Sequence, residues 1–228
     1  MGLRQTHRGE KTVGYGIMKK GYSLIELLMF LFIVAIIVVA LFPLTVVEKD
    51  QAQRIAIWKD FYPELIYAQD LFKNKESQVI KAYETTPYLE PDVYFQEFTK
   101  FMPVKDGKII NNKNYRYRYL NGRRVKKSSK YYSHQFVELE NGIIIGFAGL
   151  ERDADNVKNS PIGLLFVDID GKNKRRNFLG SDIFVVNVYA ERIEPLGGNL
   201  SRQDMKEDCS PVGTGLNCAA YYLYGGVF

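Results

Sequence analysis

Histidine and cysteine are scarce in this chain. Among 228 residues only His7, His134, Cys209 and Cys218 carry an imidazole or a thiol. That excludes the common structural zinc centres, which take four such ligands at short spacing. Ser-x-x-Lys, Gly-x-Ser-x-Gly, His-Glu-x-x-His, Cys-x-x-Cys and phosphate-cradling glycine loops are all lacking. The familiar combinations of nucleophile, base and metal ligand are therefore absent, and no enzymatic activity is expected. No internal repeat or low-complexity segment is present, so one globular domain is the economical expectation.

Charge is also lacking over one long stretch. Residues 27–47 are 21 consecutive uncharged, mostly apolar residues. As a helix they would extend roughly 31 Å, about one bilayer core. Lys19, Lys20 and Gly21 stand before the run, and Glu26 lies at its edge, where a carboxylate is costly and reads as functional. A secretory signal peptide has a shorter apolar region and a small-residue cleavage site after it. This run is too long, and no Ala-x-Ala pattern follows Val47. A plain single-pass anchor would explain the length but not a glutamate beside the run preceded by Lys-Lys-Gly.

The stretch Gly21-Tyr22-Ser23-Leu24-Ile25-Glu26-Leu27-Leu28 resembles the processing signal of type IV pilins and type II secretion pseudopilins. Tyr22 replaces the family's usual phenylalanine and Ser23 its threonine. The resemblance covers residues 19–75. It implies cleavage between Gly21 and Tyr22 by a prepilin peptidase, N-methylation of Tyr22, and a role for Glu26 in assembly. It also implies helix bends at Pro43 and Pro63, which lie 21 and 41 residues after Tyr22. The implied partners are other pilin or pseudopilin subunits, the peptidase and an inner-membrane assembly platform. Met18 offers an alternative start, with the short leader Met-Lys-Lys-Gly.

Residues 1–21 carry five basic residues against one acidic, so their loss takes the net charge from +5 to +1. Overall charge is then no argument for a nucleic-acid partner. The basic side of the apolar run predicts a single pass through the inner (cytoplasmic) membrane with the C-terminal domain outside the cytoplasm, then a periplasmic or extracellular filament. The expected organisation is a leader at 1–21, a transmembrane helix and filament core at 22–47, an amphipathic continuation at 48–76, and a β-rich domain at 77–228.

Beyond Glu48 the pattern turns amphipathic, with Ile55, Trp58, Tyr62, Leu65, Ala68 or Gln69, and Phe72 at helical spacing. Residues 77–112, with Pro87, Pro91 and Pro103, read as a long connection. Residues 115–119 alternate and lead through Asn121-Gly122 into 123–127, a hairpin pattern. Asn141-Gly142 repeats the signal between 136–140 and 143–147, and 163–168 and 183–189 flank a polar turn. The fold class expected is α+β, a long N-terminal helix packed on a small antiparallel sheet.

Three local sets carry chemistry. Cys209 and Cys218 bracket a loop-like segment and suit a disulfide in an oxidising compartment, worth about 2.7 kcal/mol on the chain-entropy model; many pilins close a C-terminal loop this way. Asp168, Asp170 and Asp182 can supply oxygens to a calcium ion, as in some pseudopilins, although an ordinary Asp-Gly turn explains them equally and no cofactor is required. Residues 109–135 hold no acidic residue, while Arg116, Arg118, Arg123, Arg124, Lys126 and Lys127 interleave with tyrosines. That surface suits an anion, DNA included, or is a solvated hairpin whose tyrosines pack on the helix. The function expected is a structural subunit of a pilus-like or pseudopilus filament; the alternative is a minor pilin that binds DNA or another anionic ligand through the basic segment.

Overall fold

A computed structural model describes residues 23–110, 115–171 and 177–227, with the side chains of 39–48 and 108–110 outside that description. The leader, Gly21 and Tyr22 lie outside the described residues. The chain divides into two compact units, Met1–Val46 and Val47–Phe228.

In the first unit the described part is the start of helix α1, which spans Leu24–Lys75 and carries both Pro43 and Pro63 inside its helical span. Every large apolar side chain at positions 24–38 is exposed, from 37 % at Val34 to 76 % at Leu24. The expected membrane-crossing helix is corrected here. Among the described residues no helix is long and apolar enough to cross a membrane. The apolar side chains that are described cover 24–38, roughly 22 Å of helix against a hydrocarbon core of about 30 Å, and Glu26 interrupts them. The expected fold class fails in this respect, and so does the single-pass inner-membrane placement that rested on the same helix.

The second unit is α+β. Six strands follow one another across one antiparallel sheet: β1 (Val104–Ile110), β2 (Gln135–Leu139), β3 (Ile144–Gly149), β4 (Gly163–Asp168), β5 (Ile183–Val188) and β6 (Ile193–Pro195). The register pairs Asp168 with Ile183 and Gly163 with Val188. All six β4 residues are buried. Side chains alternate across a strand, so Leu165 and Val167 serve one core while Leu164 and Phe166 serve another. This two-sided burial explains why 163–168 reads as a continuous apolar run.

The first core joins the sheet to α1, α2 (Ser77–Thr85) and α3 (Pro91–Thr99). Trp58, Leu65 and Phe72 are fully buried on α1. Trp58 stacks on Phe184 at 4.9 Å and donates its Nε1–H to the Ala219 carbonyl at 3.2 Å. Phe61 is buried too, whereas Tyr62 is only half-buried and donates its hydroxyl to the Ile193 carbonyl. The long connection expected at 77–112 is instead two helices and a strand. Pro91 sits in the first turn of α3, where a missing N–H costs nothing, and Phe95 stacks on Phe147 at 4.9 Å. The chain closes with α4 (Arg202–Asp208), capped by Ser201, and α5 (Cys218–Leu223).

The hairpin expected at 115–127 forms its turn but not its strands. Gly122 takes φ +82° and Tyr119 N–H bonds the Arg123 carbonyl at 2.9 Å. The neighbouring amides go elsewhere: Arg118 to the Asn177 carbonyl, Leu120 to Thr214 and Asn121 to Gly213. Competing partners thus take the ladder. The tyrosines do not pack on the helix either. Tyr115, Tyr117 and Tyr132 fill the second core, on the sheet face away from α1.

Candidate functional site

Glu26 has a local partner. Ser23 precedes α1, its amide donates to Glu26 Oε2 at 2.9 Å, and the Glu26 amide donates to Ser23 Oγ at 3.3 Å. This is a reciprocal capping box, which satisfies two of the amides a helix start leaves unpaired. The signal, Ser-x-x-Glu ahead of an apolar run, is present in the sequence and gives Glu26 a local role beside the expected assembly role. The Tyr22 amine that this role requires lies outside the described residues.

The three aspartates do converge. Their carboxylate oxygens lie within 4.8 Å of one another. Asp168 ends β4 and Asp182 immediately precedes β5, so the β4–β5 pairing holds them side by side. Asp168 and Asp182 are each 1 % exposed. Asp168 Oδ1 accepts from the amides of Asp170 (3.2 Å) and Gly171 (3.0 Å), the latter at φ +63°. Its Oδ2 accepts from the Tyr115 hydroxyl and from Asn177 Nδ2 at 3.3 Å. Asp182 Oδ1 accepts from the Phe178 amide at 2.7 Å, while its Oδ2 is buried and accepts nothing among the described residues. Arg54 of α1 reaches Asp170 at 3.9 Å.

Burial raises the Asp182 pKa to about 7, and the Asp170 charge adds to the rise. Burial likewise drives Asp168 far above the ordinary carboxylate range, reinforced by Asp170 and Asp182 and opposed by the Tyr115 hydrogen bond. Three carboxylates this close, two of them buried, cannot all stay ionised without counter-charge. The site can hold a proton or a hard, oxygen-loving cation. Nothing in the local sequence of Tyr115 or Asn177 marks them as members of this site, because the fold brings them from 53 and 9 residues away.

The basic residues separate. Arg116, Arg118, Arg124 and Lys127 line a cleft of about 760 Å³ with Asn177 and Phe178, while Arg123 and Lys126 are exposed outside it. Asn177 and Phe178 belong to both sites, since they line the cleft and also donate to Asp168 and Asp182.

Cys209 and Cys218 lie at disulfide distance, with Cα atoms 5.4 Å apart. Asp208 organises the loop between them. Its Oδ1 accepts from the amide and hydroxyl of Thr214 (2.7 and 2.6 Å), and its Oδ2 from the amide and side chain of Asn217 (2.9 and 3.0 Å). The Gly213 and Thr214 carbonyls of that loop hold the turn beside the basic cleft. No family model, curated protein or solved structure matches this chain.

Proposed function

We propose that the chain is a structural, non-enzymatic subunit of a helical filament of the pilus or pseudopilus kind, joined to its neighbours through the N-terminal part of α1. The observation that carries this reading is the exposed apolar surface at 24–38, which surrounds the helix on every side. A helix apolar all round is stable only when covered, and further copies of the same helix are the cover that a self-assembling subunit supplies. The resemblance of residues 21–28 to the pilin processing signal supports the same reading. Electron microscopy of the purified chain tests it. Filaments are expected for the native sequence, and Phe32→Glu should abolish them while leaving the melting temperature of the second unit unchanged. Filaments that survive that substitution would sink the proposal.

In this reading Asp168, Asp170 and Asp182 hold a structural calcium ion. The three carboxylates converge within 4.8 Å, and the buried Asp182 Oδ2 accepts no hydrogen bond among the described residues. Calcium takes oxygen ligands of this kind. Its chemistry there is purely electrostatic, tying the start of β5 to the end of β4.

A further inference from the structure

We propose that the basic cleft binds a compact ligand carrying two or more phosphate groups. The inference is independent of filament assembly. Arg116, Arg118, Arg124 and Lys127 line one concavity, and among the described residues none of the four makes an ion pair. The chain offers no carboxylate anywhere in 109–135 to neutralise them. Like charges around a concave surface repel one another and focus their field into the cleft, so the arrangement favours an anion that fills it. Three of the four are arginines, whose planar forks match phosphate oxygens two at a time.

One arginine of the cleft is held in place. Arg118 Nη1 donates to the Gly122 carbonyl at 3.0 Å, which orients that guanidinium. The Arg118 backbone is pinned on both sides, its amide to the Asn177 carbonyl (2.9 Å) and its carbonyl to the Leu179 amide (2.8 Å). A site whose donors are already placed loses less freedom when a ligand arrives. The volume, about 760 Å³, lies in the range of small-molecule sites.

The aromatic residues decide against a nucleic-acid strand. Binding of single strands relies on exposed rings on which bases stack. Tyr117 and Tyr132 are 3 % and 5 % exposed, and they stack on each other at 5.8 Å. Their hydroxyls are spent on the carbonyls of Tyr131 and Tyr115. Of the cleft's three rings only Phe178 is half-exposed, so charge and guanidinium geometry dominate what a ligand meets, which suits clustered phosphates.

Isothermal titration of the full chain with inorganic tripolyphosphate tests the proposal, with melting temperature recorded for every variant. Saturable binding is expected. Arg116→Gln combined with Arg124→Gln should weaken it by about tenfold or more, the effect of losing one charge-assisted hydrogen bond. Arg123→Gln combined with Lys126→Gln removes the same charge outside the cleft and should change it by less than about twofold. Absence of binding overturns the proposal. So does an equal loss in both double variants, which would mean a diffuse basic surface. An oligothymidine that binds as tightly per phosphate and is not displaced by tripolyphosphate also overturns it, in favour of a nucleic-acid surface.

Discussion

Asp182 is a buried residue whose protonation bears on the stability of the fold. Its ordinary pKa is near 4, and in the folded chain it rises to about 7. A carboxyl group raised on folding contributes stability that is fully present below the unfolded value and lost as pH climbs through the folded one. Without divalent cations the melting temperature should therefore fall between about pH 4 and 7. Asp182→Asn should flatten that profile, and calcium at pH 8 should restore the wild-type value. A melting temperature that stays constant across this range, with calcium chelated, rules out a raised Asp182 pKa. Trp58 is the residue whose packing matters most. It is fully buried, stacked on Phe184 and bonded to the Ala219 carbonyl. Trp58→Ala should cost about 3–5 kcal/mol, readable as an earlier midpoint in denaturant, because the cavity is flanked by a sheet that cannot close on it.

At the scale of elements, α1 begins on a cap that can be separated from any role of charge. Glu26→Gln keeps a side chain able to complete the capping box with Ser23 but removes the charge. Glu26→Val removes both. If the charge serves assembly, both variants should lose filaments while cleavage after Gly21 continues, as mass spectrometry of a 207-residue chain starting at Tyr22 would show. Filaments that persist in Glu26→Gln and vanish in Glu26→Val would assign Glu26 to helix capping alone. The loop between α4 and α5 depends on two devices, the Cys209–Cys218 pair and the Asp208 network. Cys209→Ser should lower stability by about 2.7 kcal/mol on the chain-entropy model. Alkylation without reductant should label neither thiol of protein prepared under oxidising conditions.

At the scale of the whole molecule, the sheet is a simple meander with two cores, one on each face. Some of this was legible in the chain. The amphipathic spacing at Ile55, Trp58, Leu65 and Phe72 marks a buried helix face, because three- and seven-residue steps fall on one side of a helix. Asn141-Gly142 marks the β2–β3 turn, because Gly142 must take φ +87°. The chain by itself also determined that the charges of 109–135 are all positive and that the apolar run begins beside Glu26. Only the tertiary structure decided the rest. It sent the tyrosines of 115–132 to the sheet face away from α1, since the Asn177 carbonyl, the Leu179 amide and the carbonyls at 213–214 compete for the backbone that would have closed a hairpin. It brought Tyr115, Asn177 and Arg54 to three aspartates, and it selected four of the six basic candidates for one cleft. Local pattern encodes which face of an element is apolar. Which distant groups meet depends on strand register and on competition among hydrogen-bond partners, and neither is written within a few residues of the groups concerned.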